Sequence, residues 1–578
     1  MGILLLFFSP RFLGHSFNNP KDIPLTLGFI FTIYYMIRYF EELPKPSKHV
    51  MFMLCIGIAL GISVRISAII LSAYFLLFSI LYYLFNTPFS EILSKVRIKQ
   101  AGKLILYWFV ISLCGYFLGI LFWPYGLADP IDHTLEVINA TGDFPVKLRV
   151  LFDGDMHWSD LLPWYYTSMF IFITTPVVIL AGSLLFVILL FIANKYYSGR
   201  YPLYIFILVF AAVFPLIYMG IKDSYDYGGW RHFLFIYPPL VIISAIGYEI
   251  LYKSIKRKYL KLSLLVIFAL LLFHPVGHIV RNDPYQYIYF NEFTGGVKKA
   301  YGKYELDYYC HSIKHASQWL LNYLDNNHDR SEKLTIVTNR HEIVSYCFKD
   351  HKDRYTVKYC KYYGRNWFDW DYAIFNGEYI HYHQLQNDLW PPKGTIHTIR
   401  VDNKPVSAIL KRESRAHFLG KKALDKKEYE TAGELLKKAV EYDPNHEASL
   451  LSLSEYYMYM EKFEKAKELI QKCLEVYPGY EVAYSYLSQV CLYENKPDQS
   501  VKYLEKALET NPYYYQAYLN LGVIYFNNQQ YEKAIAALEK CISLNPRFKM
   551  AYPYLINTYT YLKNEQKANY YRQILKNL

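Results

Sequence analysis

The stretch YLNLGVIYFNNQQYEKAIAALEKCISLNP, Tyr518–Pro546, decides the fold of the C-terminal part of the chain. Its last residue belongs to a series of prolines spaced by 34 residues, and two further series keep the same step. The series are Pro444, Pro478, Pro512 and Pro546; Leu419, Leu453, Leu487, Leu521 and Leu555; and the small residues Ala432, Ala466, Ser500, Ala534 and Ala568. A 34-residue step with small residues at fixed places predicts helix pairs that bury their apolar faces by stacking on one another.

This period, together with the Leu-Gly, Tyr, Ala and Pro positions of the quoted stretch, resembles the tetratricopeptide repeat. We predict an all-α solenoid over residues 412–578, with five units of 34 residues, the last incomplete. Such an array usually binds a peptide or protein, and a spacer or self-association module is the alternative. A set of tyrosines is predicted to pack between helices rather than line a groove: Tyr484, Tyr486, Tyr518, Tyr525 and Tyr552.

Eight apolar runs fill the first 280 residues, and none follows. They cover residues 25–37, 49–64, 66–85, 104–123, 177–193, 203–221, 233–251 and 262–280. Most approach or exceed the roughly 20 residues that a helix needs to cross a bilayer. The sequence therefore predicts a polytopic α-helical membrane domain over residues 1–280.

The formal net charge of +12 is placed largely in alternate loops between these runs. The basic residues are Arg38, Lys45, Lys48; Lys95, Arg97, Lys99, Lys103; Lys195, Arg200; and Lys253, Lys256, Arg257, Lys258, Lys261. One threading puts all four groups on the same face, and the positive-inside rule makes that face cytoplasmic. Everything after residue 280 then lies outside. Because topology explains much of the charge, nucleic acid is not expected as a partner.

The compartment is predicted from the ends and the composition of the chain. Met1 is followed by apolar residues without a basic region or a small-residue cleavage site, so no cleavable signal peptide is expected. Frequent Lys and Tyr and the lack of organelle signals favour a bacterial inner membrane, with the C-terminal domains on the extracytoplasmic side.

Between the apolar runs and the repeats, residues 281–411 alternate strand-like runs such as LTIVT and DYAIF with helix-like stretches such as KHASQWLLNYL. This alternation predicts a small extracytoplasmic α/β domain. His381 and His383 would share a face of a strand, but no further ligand accompanies them, so surface histidines are expected rather than a metal site.

Ionisable residues gather in the predicted outer loops rather than inside the apolar runs. They are Asp129, Asp132, Asp143, Asp153, Asp155, His157 and Asp160, followed by Asp223, Asp226, Arg231 and His232. A transporter would place charge near the bilayer midplane, whereas Arg65 reads as a loop residue between two crossings, so a transporter is the least favoured class. Carboxylates with Arg and His at a membrane surface suit a reaction on a phosphate-bearing lipid.

Four blocks of sequence carry a resemblance to a known family. They are SPRFLGHSFNNPKDIPLTLGFIFTIYYMIRYF (9–40), LLPWYYTSMFIFITTP (161–176), GGWRHFLFIYPPL (228–240) and DPYQYIYFNEFTGG with YGKYELDYYCHSIKHASQWL (283–296 and 301–320). Residues 1–412 resemble the membrane glycosyltransferases of the GT-C fold, in the group related to protein O-mannosyltransferases and aminoarabinose transferases. The resemblance implies transfer of a sugar from a polyprenyl-phosphate carrier to an acceptor glycan, lipid or protein on the outer face.

The resemblance assigns Asp22 as a catalytic carboxylate, because attack by an acceptor hydroxyl needs a base. The departing lipid phosphate needs positive charge, from side chains or from a divalent metal, and the sequence leaves a metal requirement open. Lys21, Arg231 and His232 are the candidates for phosphate contact, with Asp155 and His157 as minor candidates for the substrate site. The alternative for Asp22 is a helix N-cap ahead of Pro24, and for Arg231 and His232 an interfacial anchor.

The start of the chain departs from the family. The main catalytic aspartate of the family lies in a first outer loop after a first membrane helix, and MGILLLFF, Met1–Phe8, resembles only the tail of such a helix. Two alternatives follow: the start lies further upstream, or the protein lacks this base and is inactive. The competing hypothesis from another class is a non-catalytic membrane scaffold that gathers proteins through its repeats.

Overall fold

The computed structural model describes residues 1–92, 94–140, 147–193, 201–222, 227–327 and 332–578, and the side chains at 193 and 222 are not described. The chain divides into two compact units. The first holds Met1–His311 with Arg400–Val406, and the second holds Ser312–Ile399 with Ser407–Leu578. The segment 281–411, predicted as a separate domain, is thus shared between the two units, because residues 282–311 pack with the first. The division into three domains stays a prediction.

The first unit is mainly helical. Its helices are α1 Gly2–Phe7, α2 Pro10–Asn18, α3 Asp22–Glu41, α4 Lys48–Val64, α5 Ile70–Phe85, α6 Lys95–Ile120, α7 Pro124–Ala128, α8 Asp132–Ala140, α9 Tyr166–Thr174, α10 Val177–Ala193, α11 Tyr201–Lys222, α12 Tyr237–Ser254, α13 Lys258–Arg281 and α14 Gly296–Ala300. Short 3-10 helices lie at Ile66–Ile69, Phe89–Glu91 and Arg231–Ile236. Strands β1 Arg149–Phe152 and β2 Asp155–Trp158 form an antiparallel hairpin.

Six helices among the described residues are long and apolar enough to cross a bilayer: Asp22–Glu41, Ile66–Phe85, Lys95–Ile120, Tyr201–Ile221, Arg231–Ser254 and Lys258–Arg281. A seventh span results if α9 and α10, bent by 110° at their break, count as one. The eight apolar runs therefore exceed the number of spans. The run at 49–64 lies in the 17-residue helix α4, and the run at 177–193 follows a break where Thr175 is extended ahead of Pro176.

Close packing of α3 and α4 organises one end of this unit. A Cβ atom added at Gly28 would lie 2.6 Å from the backbone nitrogen of Gly61. The two helices therefore touch backbone to backbone, which only residues without a side chain allow. As α3 and α4 run antiparallel, this contact brings the first residue of α3 close to the residue that follows α4.

The second unit combines a sheet with helix pairs. Its elements are α15 His311–Asn327, β3 Leu334–Thr338, α16 His341–Cys347, β4 Tyr355–Tyr359, β5 Tyr372–Asn376, α17 Tyr382–Gln386, β6 Thr395–Val401, β7 Lys404–Lys411, α18 Ala416–Asp425, α19 Tyr429–Tyr442, α20 Glu447–Tyr459, α21 Phe463–Val476, α22 Glu481–Tyr493, α23 Pro497–Thr510, α24 Tyr515–Asn527, α25 Tyr531–Leu544, α26 Ala551–Tyr561 and α27 Glu565–Asn577. Further 3-10 helices lie at Lys349–His351 and Tyr362–Trp367. The sheet has the order β4-β3-β5-β7-β6, with β3 parallel to β4 and β5, and β7 antiparallel to β5.

The helices α18 to α27 form five consecutive pairs with the predicted period. The small residues at the 34-residue step have no exposed surface: Ala432, Ala466, Ser500, Ala534 and Ala568. Each lies where the second helix of a pair packs on the first, so the step is set by close helix contact. Of the five tyrosines predicted to be core, Tyr552 is buried and the other four are half-buried.

One edge of these helix pairs packs on the α/β part of the same unit. The Arg365 guanidinium lies 3.3 and 3.5 Å from the carboxylate oxygens of Glu447, and both side chains are almost fully buried. The His381 ring lies 4.4 Å from the Tyr477 ring. The prediction of His381 as a surface residue is therefore wrong: it precedes α17 rather than lying on a strand, and Tyr477 covers it.

Candidate functional site

Asp22 opens α3 as a buried carboxylate in an ion pair. Its Oδ1 lies 2.5 Å from Nη2 of Arg65, the residue that follows α4. The side chain of Asp22 is nearly inaccessible, whereas that of Arg65 keeps about a third of its surface, with relative exposures of 4% and 32%. Arg65 is a loop residue, as predicted, but no sequence pattern indicated that the α3–α4 contact would pair it with Asp22.

Asn19 fixes the position of Asp22. Its Nδ2 donates to Asp22 Oδ2 at 2.7 Å, and its Oδ1 accepts from the backbone nitrogens of Asp22 at 2.9 Å and Lys21 at 3.3 Å. The N-cap residue of α3 is Lys21, and Asp22 is the first helical residue. The alternative in which Asp22 caps the helix is therefore wrong, because Asn19 binds the free amides and leaves the Asp22 carboxylate to Arg65.

A polar chain continues inward from Asn19. Asn19 Nδ2 also lies 3.3 Å from His15 Nδ1, and His15 Nε2 lies 2.8 Å from the Tyr308 hydroxyl. Burial, followed by the charge of Arg11, holds the pKa of His15 well below 6.5, so the ring is neutral near pH 7. Because Asn19 donates to Nδ1, the proton is assigned to Nε2, which donates to Tyr308.

Arg11 is a buried cation at the end of this chain, with 2% of its surface exposed. Its Nη1 donates to the Tyr308 hydroxyl at 3.2 Å and its Nη2 to the Tyr289 carbonyl at 3.5 Å. Its guanidinium carbon lies 5.7 Å from the centroid of the Phe290 ring. The Nε has no hydrogen-bond partner, and within the described ranges no carboxylate pairs with Arg11.

Arg231 is a second cation of the cluster, and it is half-buried. Its guanidinium carbon lies 4.9 Å from the ring centroid of Tyr227 and 5.5 Å from that of Tyr309. Its Nε is buried without a hydrogen-bond partner, and the part of the chain that the structure describes offers it no ion pair. Aromatic faces stabilise a guanidinium, but they do not neutralise its charge.

The loop before Arg231 brings the two arginines together. Gly228 and Gly229 both have φ of +69°, a conformation that favours glycine. A Cβ atom at Gly228 would lie 3.2 Å from Nε of Arg231, and one at Gly229 would lie 3.2 Å from Nη1 of Arg11. The loop therefore lies against both guanidinium groups, and a side chain at either glycine would crowd one of them.

Tyr309 lies near both Arg231 and Asp22. Burial raises the pKa of the Tyr309 hydroxyl, and the charges of Arg231, Asp22 and Arg65 also act on it. The half-buried ring lies 5.4 Å from the His15 ring. Asp22 and Arg231, which are 209 positions apart in the sequence, thus belong to one cluster, the polar cluster, formed by Arg11, His15, Asn19, Asp22, Arg65, Arg231, Tyr308 and Tyr309.

The other predicted site residues have more exposed positions. Lys21 is exposed beside Asp22, and His232 is half-buried with its ring 5.2 Å from that of Tyr227. Asp155 and His157 lie on the β1–β2 hairpin. There, Asp155 Oδ1 accepts from the adjacent backbone nitrogen of Met156, and the His157 ring contacts Phe152. The structure thus brings Asp22 and Arg231 together, with Lys21 and His232 next to them, and gives Asp155 and His157 contacts within the hairpin.

Several predicted residues fall on positions that are not described. Asp143, Asp223 and Asp226 of the acidic loops, and Lys195 and Arg200 of one basic group, lie outside the described residues. Among the residues that are described, no group of three or more His, Cys, Asp or Glu side chains is arranged to hold a metal ion.

A break between α9 and α10 supports the loop that carries Arg231. The buried Asn291 donates from Nδ2 to the carbonyls of Phe172 at 2.6 Å and Thr175 at 2.9 Å. These carbonyls lack helical partners because the helix is interrupted. The Thr174 hydroxyl accepts from the indole of Trp230 at 2.7 Å. Asn291 therefore stabilises the backbone at the break, and Thr174 at the break fixes Trp230, the residue before Arg231.

Comparisons with known proteins identify the repeats. Models of the tetratricopeptide repeat family match residues 423–490 and 515–548. The C-terminal part of the chain is a tetratricopeptide repeat array. No curated protein matches the sequence, so no relative supports the GT-C resemblance of the N-terminal part.

Solved structures similar to this chain include tetratricopeptide proteins. The crystal structure of MamA is 28% identical and has a TM-score of 0.24, with 28% of this chain and 93% of that chain covered. MamA 41-end from Desulfovibrio magneticus RS-1 is 20% identical, with coverage of 28% and 92% and a TM-score of 0.24. YrrB, a TPR protein with an unusual peptide-binding site, is 21% identical, with coverage of 27% and 80% and a TM-score of 0.22. These likenesses support no functional statement about this chain.

Proposed function

We propose that the first unit is a membrane glycosyltransferase that moves a sugar from a polyprenyl-phosphate carrier to an acceptor glycan, lipid or protein on the extracytoplasmic face. The observation that carries this proposal is a pair of arginines, the buried Arg11 and the half-buried Arg231, which have no carboxylate partner among the described residues. Burying an uncompensated charge costs several kcal/mol. A phosphate that accepts hydrogen bonds from both arginines offsets this cost.

The polar cluster also supplies the base that the reaction needs. The acceptor hydroxyl attacks the anomeric carbon and passes its proton to the Asp22 carboxylate, while the bond between the anomeric carbon and the phosphate oxygen breaks. The negative charge left on the lipid phosphate is stabilised by Arg11 and Arg231. Lys21 and His232, at the more exposed side of the cluster, are assigned to the approach of the carrier.

The outward orientation of this site remains part of the proposal. It is supported by the placement of Lys and Arg in alternate loops and by the six helices suited to span a bilayer. Fusion of alkaline phosphatase to the C-terminus tests it in a bacterial host. An active fusion agrees with an extracytoplasmic C-terminus, and an inactive fusion contradicts it.

The enzyme proposal is tested in two separable steps. Polyprenyl phosphate, the leaving group common to all such donors, is titrated onto the purified full chain and binding is read by native mass spectrometry. Arg11→Gln and Arg231→Gln are expected to weaken binding about tenfold or more, whereas Asp22→Asn is expected to retain it. Unchanged binding in both arginine variants contradicts the assignment of the phosphate.

Transfer is measured in membranes supplied with a panel of polyprenyl-phosphate sugars. Asp22→Asn is expected to reduce the rate by a factor of about 100 or more. The matched control is Glu41→Gln, since Glu41 is an acid at the opposite end of α3 that also pairs with an arginine, Arg38, at 2.8 Å. Equal rates in the two variants remove Asp22 from the mechanism.

The repeat array favours a second role, the binding of a protein partner. The five helix pairs present a large surface, and nothing in the proposed sugar transfer requires them. A full chain that binds no protein in crosslinking from intact membranes contradicts this role.

A further inference from the structure

The repeat array has two edges: one packs on the α/β part of the same unit, and the other carries exposed aromatic side chains. The edge where each pair passes to the next packs on the α/β part through Tyr363, Arg365 and His381. The opposite edge contains the turns inside each pair and carries a row of aromatic side chains. We call it the aromatic edge; its members are Tyr429, Tyr459, Phe463, Tyr493, Phe526, Tyr531 and Tyr561.

The aromatic edge is periodic and exposed. Tyr459, Tyr493 and Tyr561 end the first helices of their pairs, and their relative exposures are 46%, 54% and 65%. Each lies against an aromatic residue that starts the second helix of the preceding pair: Tyr429 at 5.7 Å, Phe463 at 6.0 Å and Tyr531 at 5.7 Å. In the pair where Asn527 interrupts the row, Phe526 contacts Tyr561 at 5.6 Å.

The charges of this edge are balanced, which disfavours a strongly charged ligand. The turn segments 426–432, 460–466, 494–500, 528–534 and 562–568 hold eight Lys and eight Asp or Glu. The two signs balance, so the edge favours neither a polyanion nor a polycation. Exposed amides stand between the charges: Asn495, Asn527, Asn528, Gln529, Gln530 and Asn564. Amide side chains donate hydrogen bonds to uncharged carbonyls.

The spacing of the edge matches one conformation of a peptide. The first helices of successive pairs pack on each other, α20 on α22 and α24 on α26, and packed helices lie about 8–10 Å apart. A polyproline II helix advances about 9 Å per turn of three residues, and its backbone carbonyls are free for hydrogen bonds. Tyr459 and Tyr493, on successive pairs, are therefore expected about one turn of such a peptide apart, and Tyr561, two pairs further along, about two turns beyond Tyr493.

We propose that the aromatic edge binds an uncharged, proline-rich segment of a partner protein in the polyproline II conformation. Pro-rich segments dock on rows of aromatic side chains in other binding modules, because the extended helix is already formed and loses little entropy. The proposal rests on the protein-binding role proposed for the repeats and names its site and the chemistry of its partner.

Binding is tested with the purified full chain and a fluorescent 15-residue peptide that has proline at two of every three positions and no charged residue. The control peptide replaces each proline by alanine. The expected result is saturable binding of the proline peptide at least about tenfold tighter than the control. Equal affinity for the two peptides, or no binding of either, overturns the proposal.

Variants locate the site on the array. Tyr459→Ser with Tyr493→Ser and Tyr561→Ser is expected to weaken binding of the proline peptide about tenfold or more, because exposed aromatic anchors carry much of such interfaces. Tyr570→Ser is the matched control: it lies on α27, outside the edge, with 59% exposure. Circular dichroism verifies that the triple variant keeps its helices, and Tyr493→Trp keeps an anchor and is expected to retain binding.

The outcomes separate this inference from the role on which it rests. A crosslinked natural partner that the triple variant still binds overturns the aromatic edge but leaves the protein-binding role intact. Binding of a neutral oligosaccharide on this edge, with no binding of the proline peptide, also overturns the inference.

Discussion

Two buried arginines in this protein, Arg365 and Arg11, have opposite surroundings. Arg365 of the second unit is 3% exposed, faces both carboxylate oxygens of Glu447 and donates to the Tyr362 carbonyl at 2.9 Å. Arg11 of the first unit is 2% exposed and has neutral partners alone among the described residues. A buried charge is stabilised by a counter-charge, which Arg365 has in Glu447; for Arg11 we propose that a bound phosphate supplies it. The difference suggests a structural role for Arg365 and agrees with the binding role proposed for Arg11.

We expect the largest effect from a substitution that breaks the buried ion pair of Arg365 and Glu447. Glu447→Gln leaves the Arg365 guanidinium buried without its carboxylate, and we expect a loss of about 3–5 kcal/mol in the stability of the second unit. Hydrogen exchange of peptides from α20 in the full chain measures it. Arg365→Met combined with Glu447→Leu is expected to be nearly neutral, since it removes both charges. A double variant as unstable as Glu447→Gln contradicts this account.

The corresponding change at Arg11 is expected to affect binding rather than stability. Arg11→Met removes an uncompensated charge, so the first unit should keep or gain stability, while affinity for polyprenyl phosphate falls by about 2 kcal/mol. Thermal unfolding with and without polyprenyl phosphate measures both quantities. A large loss of stability in the ligand-free protein would show that Arg11 is structural like Arg365.

Asn291 is a buried polar residue without a charge, and so provides a neutral counterpart to Arg365 and Arg11. Asn291 offsets buried backbone carbonyls instead of a charge, and Asn291→Ala is expected to cost about 2 kcal/mol because two carbonyls lose their donor. Hydrogen exchange around residues 170–178 is the measurement. Asn322→Ala serves as control, since this exposed side chain lies on α15 in the second unit. An equal effect of the two substitutions contradicts the role of Asn291.

The smallest predicted effect concerns pH. Burial lowers the pKa of His417 in the second unit from 6.5 to about 3, and the nearby Arg365 adds to this. The unfolded chain therefore takes up a proton below pH 6.5 that the folded chain refuses, and stability falls as pH decreases. Between pH 7 and 5.5 we expect a loss of about 1 kcal/mol from this residue. His417→Asn is expected to flatten the pH dependence, measured as stability at both pH values, and an unchanged slope contradicts the assignment.

Sequence periodicity predicts the fold of the repeats, because the small residue of each 34-residue step lies at the same contact between the two helices of its pair. It was less reliable where contacts depend on distant segments. The sequence singles out Asp22 and Arg231 as candidates, which stay predictions, and it assigns no role to Arg11, His15 or Tyr308. Their grouping depends on a helix, a glycine loop and a segment almost 300 positions away. The sequence predicts His381 at the surface because Tyr477, which covers it, lies in the repeat array, 96 positions further along the chain.

The contact between Gly28 and Gly61 also affects the ion pair of Asp22 and Arg65, although neither glycine touches that pair. A methyl group on Gly28 would act as a wedge, since the Gly61 nitrogen leaves it only 2.6 Å. Moving the helices apart there would also widen the gap between Asp22 and Arg65. The distance between the Asp22 carboxylate and the Arg65 guanidinium therefore depends on two glycines, which have no side chain.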